Sequence, residues 1–101
     1  MKPTSFLINT ARGGIIDQNA LLRALLEEQL AGAALDVLEN EPPNSNERLL
    51  ELVNVIVLPH MGTATIETRR AMRELAVDNV IAVLNGSRPP AIVNPEIYDQ
   101  T

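Results

Sequence analysis

Three short aliphatic runs punctuate the chain: Phe6-Leu7-Ile8-Asn9, Ala33-Ala34-Leu35-Asp36-Val37 and Val53-Asn54-Val55-Ile56-Val57-Leu58. The first and third are nearly unbroken apolar rather than alternating, which predicts strands buried on both faces, as in a parallel sheet. Between the first two, Leu21, Leu22, Ala24, Leu25 and Leu26 recur at helical spacing with Glu27, Glu28 and Gln29 on the polar side. Asp17 is placed to cap that helix, and Gly32 follows its end. A shorter helix is expected over residues 47–52 and a longer one from about Thr65 to Leu84. In the longer one Met72, Leu75, Ala76, Val80, Val83 and Leu84 recur at three- and four-residue steps. Its opposite face carries Glu67, Arg69, Arg70, Arg73, Glu74 and Asp78, with Glu67–Arg70 and Arg70–Glu74 at pairing distance. Asn85-Gly86 is a stop signal, and the proline-bearing stretch 87–101 reads as extended or irregular. Strand and helix alternate three times, the rhythm of an α/β sheet, although three strands are few for one.

Composition narrows the chemistry. With 101 residues the chain has the length of one ordinary domain and can bury a real core. That core is aliphatic, because Phe6 and Tyr98 are the only aromatics. A net charge of -5 disfavours non-specific nucleic-acid binding. No apolar run is long enough to span a membrane, and no secretory signal opens the chain. Zero cysteines exclude disulfides, thiolate metal sites and cysteine nucleophiles, and a single His excludes a multi-histidine zinc site. No metal is expected.

In an open parallel sheet, ligands bind beyond the carboxyl ends of the strands. Thr10-Ala11-Arg12-Gly13-Gly14 follows the first run, Asp36 ends the second with Glu39 and Glu41 beyond it, and Pro59-His60-Met61-Gly62 follows the third. Arg12, Asp36 and His60 are spaced 24 residues apart and are expected to converge on one crevice. Arg offers a planar fork of donors matched to a carboxylate. His exchanges a proton near neutral pH, and a neighbouring carboxylate holds its ring in one orientation. This set suits a small 2-keto or 2-hydroxy acid. No side chain supplies a hydride, whereas a nicotinamide cofactor would.

The ordered set Ile8-Asn9-Thr10-Ala11-Arg12-Gly13-Gly14-Ile15-Ile16-Asp17, Ala33-Ala34-Leu35-Asp36-Val37, Glu39-Asn40-Glu41-Pro42 and Leu58-Pro59-His60-Met61-Gly62-Thr63-Ala64-Thr65 resembles the C-terminal part of the D-isomer-specific 2-hydroxyacid dehydrogenases, over about residues 1–94. Within that family it looks closest to the glyoxylate/hydroxypyruvate reductases. The resemblance implies a partial Rossmann-like α/β fold and NAD or NADP as cofactor in the complete enzyme. Arg12 would bind the substrate carboxylate and orient the keto oxygen, His60 would be the acid/base, and Glu41 would hydrogen-bond His60. Asp36 would hold the nicotinamide carboxamide, and Thr10, Ala11, Gly62 and Thr63 would line the nicotinamide end beside Arg12 and His60. It also implies a cytoplasmic enzyme that forms homo-oligomers or associates with a missing N-terminal part. The family's Gly-x-Gly-x-x-Gly turn is not in this sequence. The chain therefore reads as a fragment: residues 1–86 as the C-terminal half of a dinucleotide-binding domain, and 87–101 as a tail returning to a substrate domain. Alone it is expected to be inactive.

Plainer readings compete with these. Asp17 reads as a helix cap, Arg69, Arg70 and Arg73 as a solvated face, and Gly13-Gly14 as a turn after Arg12 rather than a phosphate cradle. Asp36 stands out, since a carboxylate in an apolar strand needs partners. A second class of function, a non-catalytic interaction or assembly module or one half of a split enzyme, follows from the shortage of strands, because an unpaired edge invites another chain.

Overall fold

A computed structural model describes residues 1–99, which fold as two units, Met1–Gly62 and one that begins at Thr63. The unit boundary lies inside the 1–86 segment. The last two residues of the expected tail, 100 and 101, lie outside the described residues.

The first unit is a three-stranded parallel sheet, β1 (Phe6–Asn9), β2 (Gly32–Leu35) and β3 (Val55–Val57), in the order β1-β2-β3. Phe6 pairs with Gly32 and Asn9 with Leu35, while Ala33 pairs with Val55 and Leu35 with Val57. Helix α1 (Gln18–Leu26) starts at Asp17, whose carboxylate accepts from the Ala20 N–H as the sequence predicts. Gly32 enters β2 instead of merely closing the helix, and the helix gives way through Glu28 at φ 56°. The short helix expected over 47–52 is a 3-10 turn, Arg48–Glu51, capped by the Glu47 carboxylate on the Leu49 N–H.

Leu21 and Leu25 of α1, Ala33 and Leu35 of β2, and Leu30, Leu38 and Leu49 form one buried cluster. Leu49 is the most enclosed, at 0% exposure. Each leucine so buried is worth about 1.5–3 kcal/mol.

Within this chain the expectation of strands buried on both faces is met on one face only. Leu7, Asn9, Ala33, Leu35, Val55 and Val57 face the cluster, while Phe6, Ile8 and Ile56 on the other face are 67%, 72% and 64% exposed. Unbroken apolar runs mark a strand whose two faces both avoid water. In this unit α1 and the Arg48–Glu51 turn cover one face only.

The second unit holds α2 (Ile66–Leu84), started by Thr65, whose hydroxyl accepts from the Thr68 N–H. It stops at Asn85-Gly86, with Gly86 at φ 68°. The helix forms over the predicted span but buries no residue, and Met72, Leu75, Val80, Val83 and Leu84 of the predicted stripe are all exposed. Of the two expected charge pairs, Arg70–Glu74 forms at 2.6 Å. The irregular tail includes a 3-10 turn at Pro95–Tyr98, and the Ala91 N–H donates to Asn79 Oδ1 of α2 at 3.0 Å. Among the described residues no helix is long and apolar enough to cross a membrane, and no cluster of acidic and His side chains could hold a metal.

Candidate active site

Three loops leave the carboxyl ends of the three strands, and backbone bonds tie them together. The Asp36 N–H donates to the Asn9 carbonyl, and the His60 N–H donates to the Asp36 carbonyl. Each loop thus hangs from its neighbour, and the crevice inferred from strand topology forms.

Asp36 sits just past β2 at 5% exposure. Its Oδ1 accepts from the Met61 N–H and its Oδ2 from the Gly62 N–H, both at 2.8 Å. These are the partners that a carboxylate in an apolar strand requires. The pair clamps the loop that carries His60. Gly62 fits closely there, since a Cβ on it would lie 3.0 Å from Asp36 Oδ2.

His60 adopts φ 52°, the left-handed region that costs a non-glycine residue strain. The Asp36 clamp on the next two residues holds that conformation. His60 Nδ1 lies 2.6 Å from Glu41 Oε2, and Glu41 Oε1 accepts from the Leu38 N–H at 3.0 Å. The hydrogen bond to His60, then the one from Leu38, keep the Glu41 carboxyl below its ordinary pKa of 4.5. An ionised carboxylate is acceptor-only, so Nδ1 carries the proton and Nε2 remains for a ligand. Glu41 precedes a cis peptide bond to Pro42.

Arg12 reaches the same place from β1. A cleft of about 370 Å³ is lined by Arg12, Gly13, Gly14, Val37, Leu38, Glu39, Glu41 and His60. Arg12 Nη1 donates to the Ala11 carbonyl at 2.7 Å, and Arg12 forms no ion pair among the described residues. Beyond Glu41 and His60 lies a second cleft of about 380 Å³, walled by Leu38, Pro42, Pro43, Leu50, Val57, Leu58 and Pro59. Thr10 and Ala11 are exposed on the β1 loop beside Arg12, and Thr63 opens the second unit.

Arg12, Glu41 and His60 therefore meet in one cleft, with Asp36 beneath the His60 loop. Gly13 serves close approach rather than a special turn conformation. A Cβ on it would fall 1.9 Å from the Leu38 carbonyl oxygen, whereas one on Gly14 would meet nothing. The sequence assigns Asn9 and Gln18 no role, and Glu39 only that of a carboxylate beyond the second strand. Asn9 is buried at 4% exposure, with both side-chain polar atoms bonded to the Arg12 loop. Gln18 and Glu39 exchange hydrogen bonds, each side chain accepting from the other's N–H, and Gln18 Nε2 donates to Glu47 Oε2 at 2.7 Å. Glu39 thus ties the β2 loop to α1. A buried Asn ending an apolar strand was the one available signal.

The carboxyl edge of this parallel sheet, where open α/β folds bind ligands, thus gathers an arginine, a His–Glu pair and a buried aspartate. The family model for the D-isomer specific 2-hydroxyacid dehydrogenase NAD binding domain matches residues 1–62, and the chain belongs to that family. It is 55% identical over 97 residues to a glyoxylate reductase of Thermofilum pendens and 52% identical to one of Pyrococcus furiosus, each alignment covering 96% of this chain. The chain spans 29% of the length of those relatives. Among solved structures, a glyoxylate reductase from Paecilomyes thermophila superposes with TM-score 0.85 at 38% identity, over 95% of this chain and 29% of that one. An NADPH-dependent glyoxylate/hydroxypyruvate reductase from Sinorhizobium meliloti, in complex with NADP and malonate, gives 0.84 at 41%, over 93% and 29%.

Proposed function

We propose that the complete protein is an NAD(P)-dependent oxidoreductase that interconverts a small 2-keto acid, of the glyoxylate or hydroxypyruvate kind, with its D-2-hydroxy acid. In this reading residues 1–86 are the C-terminal half of the dinucleotide-binding domain, and 87–101 return to the substrate domain. The observation that carries it is the 2.6 Å His60–Glu41 hydrogen bond in the cleft that Arg12 lines.

Arg12 holds the substrate carboxylate and turns the keto oxygen toward His60. His60 Nε2 gives its proton to that oxygen, while Glu41 fixes the ring through Nδ1 and offsets the charge that the ring carries before transfer. The nicotinamide, when bound, supplies the hydride that adds to the keto carbon. The residues present fit its reactive end: Thr10 and Ala11 offer exposed backbone, and each Asp36 oxygen accepts only one N–H and has a lone pair left for a carboxamide. Gly62 lies at that end, and Thr63 follows it in the sequence. The pyrophosphate turn is not in this sequence, so the chain by itself is inactive. We place the enzyme in the cytoplasm, acting as a homo-oligomer or through association with the N-terminal part.

The test follows NADH absorbance with glyoxylate. The isolated chain is expected to give no sustained oxidation, and a longer parent is expected to give it. Replacing His60 with Ala in that parent lowers turnover about 100-fold or more, and unchanged turnover refutes the assigned role. A second reading, a non-catalytic assembly module, is favoured by the apolar sheet face at Phe6, Ile8 and Ile56. A strictly monomeric species in sedimentation counts against it.

A further inference from the structure

We infer that Asn9 is a positioning residue for Arg12: its buried carboxamide holds the loop that aims the guanidinium into the cleft. The inference rests on the reading of Arg12 as the substrate-carboxylate ligand. Asn9 ends β1 with its side chain on the covered face of the sheet. Its Oδ1 accepts from the Ala11 N–H at 3.1 Å, and its Nδ2 donates to the Arg12 carbonyl at 2.9 Å. An N–H on one side and a carbonyl on the other admit a single orientation of the amide. The two bonds fold residues 9–12 into a fixed Asx-type turn. Arg12 Nη1 in turn donates to the Ala11 carbonyl at 2.7 Å. The guanidinium is therefore anchored to the same short stretch whose two ends the Asn9 amide fixes.

Side-chain chemistry leaves few substitutes. Only a carboxamide offers a donor and an acceptor on two separate atoms of so short an arm. Aspartate keeps the size and the acceptor toward Ala11 but presents an oxygen to the Arg12 carbonyl oxygen. Serine has one hydroxyl on a shorter arm, which cannot span both partners. An arginine that binds a planar carboxylate through two N–H groups depends on its angle as well as its charge. Loosening the loop should therefore weaken carboxylate binding without touching the His60–Glu41 pair.

The test uses the isotope-labelled chain, NMR, and glyoxylate as the probe. Two quantities are measured on wild type, Asn9→Asp, Asn9→Ser and Arg12→Lys: the order of the Arg12 guanidinium N–H groups and the glyoxylate dissociation constant. Both Asn9 variants are expected to mobilise the guanidinium and to weaken glyoxylate about tenfold or more, with the His60 Nδ1 proton resonance unmoved. If they lower only the thermal midpoint, leaving guanidinium order and affinity at wild-type values, Asn9 is merely structural and the inference is overturned. If Arg12→Lys binds as wild type does, the carboxylate-ligand reading fails and the inference fails with it. If Arg12→Lys weakens binding and the Asn9 variants do not, the positioning role alone is lost. Guanidinium order that is unchanged in Asn9→Asp overturns the inference even where glyoxylate binds too weakly to titrate.

Discussion

Replacing Gly13 with Ala is a sharp probe of how the Arg12 loop is seated. The new Cβ would lie 1.9 Å from the Leu38 carbonyl oxygen, 2.1 Å from the Leu38 carbonyl carbon and 2.5 Å from the Glu39 nitrogen. All three are backbone atoms, so no rotamer change relieves the overlap. Ordinary contact begins at 3.4 Å, and 3.4 minus 1.9 means the two segments must part by about 1.5 Å. Leu38 is a member of the buried cluster, and its N–H donates to Glu41. Moving it therefore opens the core and pulls on the His60 partner together. Overpacking of this kind costs about 1–3 kcal/mol. For a domain this small that lowers the thermal midpoint by about 4–8 °C per kcal/mol. Gly14→Ala is the internal control, because a Cβ there meets nothing within 4 Å. It should be neutral or raise stability by about 0.4–1 kcal/mol through the unfolded chain. Circular-dichroism melts of the two variants beside wild type decide the matter. Equal midpoints for Gly13→Ala and Gly14→Ala would show that the loop is not packed against Leu38, and the close approach would be refuted.

Two further outcomes follow from the site. Asp36→Asn should cost about 1–3 kcal/mol, because its amide sets an N–H donor against the N–H of Met61 or Gly62; a urea midpoint equal to wild type would refute the clamp. Glu41 titrates lower in the folded chain than its ordinary 4.5, so its bond to His60 adds stability that is present above that value and fades as pH falls through the lowered one. In urea unfolding at a series of pH values, the gap between wild type and Glu41→Gln should be full near neutrality and close in acid; a gap independent of pH would refute the coupling.

Much of the fold was legible because it rests on local chemistry. The β1 boundaries, the Asp17 cap, the span of α2 and the Asn85-Gly86 stop all came from short-range hydrogen bonding, backbone preference and periodicity. Which face is covered within this chain was not legible from apolar runs. Phe6, Ile8 and Ile56 look like core residues, yet whether a face is covered depends on elements far away in the chain.

For the site, the sequence by itself determined which chemistry is available: one His, no thiol, an arginine and carboxylates placed after successive strands. Parallel pairing then obliges those positions to share an edge. Only the tertiary structure decided how each is used. The resemblance already named Glu41 as the partner of His60, and the structure supplies the reason: the Leu38 N–H holds the Glu41 carboxylate in reach while Gln18 engages Glu39. Asp36 became a clamp and Asn9 an anchor only once the loops packed within hydrogen-bond reach. Residue type determines what a group can donate or accept. The distance at which it meets a partner is a property of the folded chain.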